Sequence, residues 1–143
     1  MKLEQNEMVI FLDFDGVLHR KCVDTFELIP NFIKVLDLYP KIQVVISSNW
    51  RLGMSNEAYF KVFGKYVDRI IGQTPSINSE NRELEILEFV NIHKIDKFIA
   101  IDDDCRGTLF SQNCEWLFKT DYYRGLDSET TTKLIEFINE RTR

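Results

Sequence analysis

The sequence lacks the marks of several protein classes. Its three cysteines, Cys22, Cys105 and Cys114, are odd in number and match no zinc-ligand spacing. A disulfide framework is therefore excluded, and reduced thiols are expected. No apolar run approaches the roughly 20 residues that span a bilayer, so no membrane role is expected. Basic residues are not in excess: the formal net charge is −5, which argues against the basic footprint of nonspecific nucleic-acid binding. It leaves room for a protein that touches only a nucleic-acid end. The opening residues, Met-Lys-Leu-Glu-Gln-Asn-Glu, lack a leader's apolar core, and a cytoplasmic setting is expected. Internal repeats, low-complexity segments and linkers are also missing. A chain of 143 residues is then expected to form one domain over 1–143.

What is there begins with Met8-Val9-Ile10-Phe11-Leu12-Asp13-Phe14-Asp15-Gly16-Val17-Leu18-His19. The unbroken apolar run reads as a strand buried on both faces, as in parallel sheets. Two carboxylates at its exit are not core material, because burying unpaired charge is costly. They sit where open α/β sheets bind ligands. Gly16 permits a sharp turn or a close backbone approach.

Further on, Pro30–Pro40 reads as a short helix with Phe32, Val35, Leu36 and Tyr39 on one face. Residues 41–49 read as a second strand that exits into Ser47-Ser48-Asn49-Trp50-Arg51. Ser55 to Phe63 reads as a helix closed by Gly64, and Val67–Gly72 as a short strand. Ser79 to His93 reads as a helix capped by Ser79, with Leu84, Ile86, Leu87, Phe89 and Val90 as its apolar face. Residues 97–101 read as a strand ending in Asp102-Asp103-Asp104. A last strand is expected over 115–120, and a final helix capped by Ser128. Alternating strands and helices indicate an α/β doubly wound parallel sheet in three layers.

Asp13-Phe14-Asp15-Gly16-Val17-Leu18 resembles the first motif of the haloacid dehalogenase (HAD) superfamily of phosphotransferases. Ser47 resembles the second motif, with Ser48 as the alternative register, and Arg82 the basic third motif, with Lys94 and Lys97 as alternatives. Asp102-Asp103 resembles the acidic fourth. Ser-x-Trp-Arg at 48–51, and Thr120-Asp121 before Gly125-Leu126, are similar to a HAD subfamily found in Swiss-army-knife RNA-repair proteins.

The resemblance implies a HAD-like, Rossmannoid fold, and the short gaps between motifs leave no room for a substantial cap. It implies a magnesium-dependent phosphohydrolase. Asp13 would be the nucleophile and Asp15 the general acid and base, with Ser47 and Arg82 stabilising phosphoryl charge. Mg2+ would be held by Asp13, the Asp15 carbonyl and Asp103, with Asp102 as partner. Asp104 would serve in a turn. Ser48, Asn49, Arg51 and His19 would contact substrate. An uncapped site suits the terminal phosphate of RNA or DNA, or takes a partner chain as its lid. A small-metabolite phosphatase and a non-catalytic binding module are the competing readings. A phospho-receiver is disfavoured, because its acidic residues and hydroxyl follow the strands in a different order.

Overall fold

A computed structural model of the chain describes residues 8–77 and 81–142. The unbroken apolar stretch is strand β1, Met8–Leu12, buried at all five positions. It forms the centre of the sheet. Strand β2 (Gln43–Ile46) pairs with it on one side and β4 (Lys97–Asp102) on the other, both parallel. Strands β3 (Ile70–Gln73) and β5 (Leu117–Lys119) complete the order β3-β2-β1-β4-β5, all parallel. The chain runs outward from β1 to β3 and then returns to the opposite side of β1. The exits of β1 and β4 therefore flank the topological switch point, where such sheets hold ligands.

Period-two alternation inside β1 feeds two cores. Ile10 and Leu12 join Val44, Ile46, Ile99 and Ile101 on one face. That face is covered by helices α1 (Ile29–Leu38), α2 (Asn56–Phe63) and α4 (Ser128–Thr142), through residues such as Phe32, Leu36, Phe63, Leu134 and Ile138. Val9 and Phe11 join Val45 and Ala100 on the other face, under Ile86 and Phe89 of α3 (Arg82–His93). Each such side chain contributes about 1.5–3 kcal/mol by leaving water. The result is the expected three-layer α/β arrangement, with no cap domain among the described residues.

Several local expectations are corrected. The second strand stops at Ile46, because Ser48 caps a 3₁₀ turn over Asn49–Leu52 by accepting the Trp50 N–H. The third begins only at Ile70, since Gly64–Arg69 is a 3₁₀ helix. The last strand covers just Leu117–Lys119. Helix α3 begins at Arg82 and is capped by Asn81, whose side chain accepts the Leu84 N–H at 3.0 Å; Ser79 lies outside the described residues. Leu84 and Leu87 face solvent rather than the core. The cap of α4 is Asp127, which accepts the Thr130 N–H, and Ser128 is its first helical residue. No helix among the described residues is long and apolar enough to cross a membrane.

Candidate active site

The β ladder continues one residue past β1, where the Asp13 N–H donates to Ile101 O at 3.0 Å. The chain then turns: Val17 and Leu18 both donate to Phe14 O, and Gly16 takes a left-handed φ of 72°. The Thr120 hydroxyl pins this turn by donating to Gly16 O at 2.7 Å. A Cβ on Gly16 would lie 2.9 Å from Cγ of Asp103, closer than such atoms approach. Glycine is required here both for its backbone conformation and because the Asp103 carboxylate fills the space.

Asp13, Asp102 and Asp103 are all buried, and each offers an oxygen within 4.8 Å of the others. One cation answers them. Arg82 Nη1 lies 2.7 Å from Asp102 Oδ2 and 3.1 Å from Asp13 Oδ1. Asp102 Oδ1 accepts the Asp104 N–H at 2.8 Å, so both Asp102 oxygens are engaged. Burial, reinforced by the charges of Asp102 and Asp103, holds the Asp13 carboxyl well above the usual carboxylate range, with Arg82 opposing. Burial also raises Asp102, against Arg82 and the Asp104 N–H. For Arg82 burial acts downward, but the charges of Asp13 and Asp102 outweigh it and hold the guanidinium protonated. An arginine in a first helical turn opposes the helix dipole, and the two carboxylates compensate. Asp104 adopts a φ of 38° and accepts the Leu109 N–H, so it shapes the turn that follows.

The second strand exit lies alongside. The Ser47 N–H donates to Leu12 O at 3.0 Å, and the Ser47 hydroxyl is buried without a partner. Ser48 is engaged in its cap, so of the two serines Ser47 has the free hydroxyl. Asn49 is exposed and lines a cleft of about 560 Å³ with Arg82, Asp103, Cys105, Arg106 and Thr108.

Arg51 departs from its expected role. It is buried and donates to the carbonyls of Ser47, Ser48, Thr74 and Pro75, while pairing with Glu85 at 3.3 Å. Its donors are used up in holding the second strand's exit, which leaves none for a substrate phosphate. His19 departs as well. Expected to contact substrate, it is fully buried, with Nε2 2.7 Å from Asp15 Oδ1. Lys94 and Lys97 stand far from the carboxylates. Lys94 ends α3 in a left-handed conformation. Lys97 begins β4 while Asp102 ends it, which puts them roughly 16 Å apart at the rise of a strand.

Two residues at the site had not been singled out. Trp50 donates from Nε1 to Asp15 Oδ1 at 3.0 Å; its signal was the tryptophan of Ser-x-Trp-Arg. Arg106 lines the cleft, and no pattern in the sequence marked it.

The family model described as the HAD domain in Swiss Army Knife RNA repair proteins matches residues 9–131. The match runs from β1 into the first turn of α4 and takes in every side chain of this site. Neither a curated protein nor a solved structure matches the chain.

Proposed function

The chain belongs to the family of HAD domains in Swiss Army Knife RNA repair proteins, and on that premise we propose that it is a phosphohydrolase working through an aspartyl-phosphate on Asp13. The observation that carries this is the buried trio Asp13, Asp102 and Asp103 with one guanidinium between them. Three carboxylates and one arginine leave two negative charges uncompensated. An all-oxygen donor set of that charge fits Mg2+, and we assign its binding to Asp13, Asp103 and the backbone carbonyl of Asp15. When bound, the ion would offset the repulsion between an anionic nucleophile and an anionic phosphate.

The chain's own groups divide the remaining work. Asp13 attacks phosphorus, and its carboxylate oxygen forms the new P–O bond as the ester P–O bond breaks. Arg82 keeps Asp13 in place and faces the cleft, where it stabilises charge on the phosphoryl oxygens. The Ser47 hydroxyl, free of protein partners, donates to one of them. Asp15 protonates the leaving oxygen and then takes a proton from the water that cleaves the intermediate. Asp102 holds Arg82 and the Asp104 turn rather than substrate.

The substrate we favour is the terminal phosphate of a nucleic acid. The family's description supports it, as does a cleft that no cap covers among the described residues and whose outer wall carries the exposed Asn49 and Arg106. The test is phosphate release with magnesium from 5′- and 3′-phosphorylated RNA and DNA oligonucleotides, mononucleotides and an aryl phosphate. Wild type and Asp13→Asn are compared. Fast, Asp13-dependent release from one oligonucleotide end is the expected result. Release from small esters alone would replace this substrate with a metabolite. Silence across the panel from folded protein would leave only the binding-module reading.

A further inference from the structure

Asp15 is the most exposed carboxylate of the site, at 39 % for its side chain, yet one of its oxygens is held twice. His19 Nε2 lies 2.7 Å from Oδ1, and Trp50 Nε1 donates to the same atom at 3.0 Å. Oδ2 takes no donor among the described residues. The His19 ring is buried against Phe26, with centroids 4.7 Å apart, and against Trp50 at 5.8 Å. Phe26 holds that contact from a left-handed φ of 51°, a conformation bulky residues rarely adopt.

The surroundings of His19 decide where its proton sits. Nδ1 is buried with no partner. A neutral ring protonated at Nδ1 would bury an unpaired N–H and aim the Nε2 lone pair at a carboxylate oxygen. A proton on Nε2 avoids both costs. Indole nitrogen is only ever a donor, so Oδ1 receives two N–H groups.

We propose that His19 and Trp50 are positioning residues: a two-donor clamp that fixes the Asp15 carboxyl through Oδ1, so that its proton rides on Oδ2 and faces the leaving oxygen of the ester. The proposal rests on the reading of Asp15 as the general acid. Unclamped, a carboxyl on a turn would rotate and exchange its oxygens. Clamped, the oxygen that accepts both N–H groups is the carbonyl oxygen of the acid form, and the other carries the proton. As Asp13 bonds to phosphorus, the ester P–O electron pair moves to the leaving oxygen, which takes the Oδ2 proton. The two N–H groups then stabilise the carboxylate left behind.

The test compares an alkyl phosphate with p-nitrophenyl phosphate, whose leaving group departs without a proton. The quantity is kcat/KM, which reports events only through leaving-group departure. Trp50→Phe keeps the aromatic packing and removes one donor; His19→Phe removes the other; His19→Gln restores an N–H. Asp15→Asn gives the profile of a lost acid. On the alkyl ester, Trp50→Phe and His19→Phe are expected to lose about 10- to 100-fold, with less than about 3-fold lost on the aryl ester. His19→Gln should recover most of that loss. Equal losses on both esters, or none, would overturn the clamp. Nitrogen-15 NMR gives a second readout independent of turnover. The chain has two histidines, so His93→Gln assigns the spectrum, and an Nδ1–H tautomer at His19 would also overturn the clamp. Turnover that survives in Asp13→Asn would sink the phosphatase reading instead, whatever the clamp variants do.

Discussion

Magnesium should stabilise this protein, and by more at high pH than at low. The oxygens of Asp13, Asp102 and Asp103 lie within 4.8 Å of one another. At that distance, with an effective dielectric near 20, two unit charges repel by about 3.5 kcal/mol. Arg82 is the counter-charge in direct contact, paired with two of the three. Burial accordingly raises the carboxyls of Asp13 and Asp102. The sign of the linkage follows. A carboxyl with a folded-state pKa above its unfolded value of about 3.9 binds its proton more tightly when folded. The stability it contributes is complete below that value and is lost as pH rises through the raised one. The metal-free protein should therefore weaken across that window. Mg2+ replaces the proton, so its effect should grow over the same range. At a hundred times its Kd, an ion that binds only the folded state adds about 2.7 kcal/mol. For a chain of this length that is roughly 8–11 °C in Tm. Thermal denaturation at about pH 5 and pH 8, with and without MgCl2 and with NaCl at matched ionic strength, reads it directly. Asp103→Asn should leave less than about 2 °C of the shift. An equal shift in that variant, or one reproduced by NaCl, would refute the assignment of the ion to this cluster.

Two further substitutions separate chemistry from architecture. Ser47→Ala removes a hydroxyl that makes no bond within the protein, so stability to urea should change by no more than about 0.5 kcal/mol. Its kcat should nevertheless fall about 10²- to 10³-fold, as for a lost oxyanion donor. Arg51→Met should do the reverse in kind. It leaves Glu85 buried without its ion-pair partner and removes the guanidinium donors to the carbonyls of Thr74 and Pro75, costing about 3–5 kcal/mol in urea. A urea midpoint unchanged in Arg51→Met, with substrate KM sharply raised, would return Arg51 to phosphate binding.

Much of this arrangement was legible in the residue order. An apolar run with acidic residues at its exit reads as a buried parallel strand feeding a site, and β1 and β4 are that. The resemblance at Asp13–Leu18 pointed to the same sheet. Two kinds of position resisted. Caps moved by one or two residues, as from Ser128 to Asp127, because neighbouring polar residues offer equivalent acceptors and only the backbone path selects among them. The other kind is charge. Arg51 and His19 read as substrate contacts, a role that requires accessible side chains, as charged and polar ones usually are. Their burial depends on partners that no local pattern marks: Thr74 and Glu85 for Arg51, and for His19 an aromatic wall of Phe26 and Trp50. Helix α3 carried an unread clue. Arg82, Glu85, Ile86 and Phe89 fall at i, i+3, i+4 and i+7, a buried stripe that begins with two charges.

That stripe explains how two strand exits become one site. In the first turn of α3, Arg82 reaches Asp13 and Asp102, at the ends of β1 and β4. One turn on, Glu85 meets Arg51, whose guanidinium gathers carbonyls from the end of β2 and from the segment after β3. The exits of four adjacent strands are thus tied to the start of one helix by three buried ion pairs, Arg82 with Asp13 and Asp102 and Glu85 with Arg51. Buried pairs are poor sources of stability, since desolvation consumes most of their attraction. They do fix position, because each polar group has one well-satisfied arrangement and displacement strands a charge. Apolar residues at 82 and 85 would pack against the sheet as well and hold the strands as firmly. They would not hold the carboxylate of Asp13 and the hydroxyl of Ser47 to one geometry across two strands, and the proposed transfer of a phosphoryl group to Asp13, with Ser47 donating to one of its oxygens, depends on that geometry.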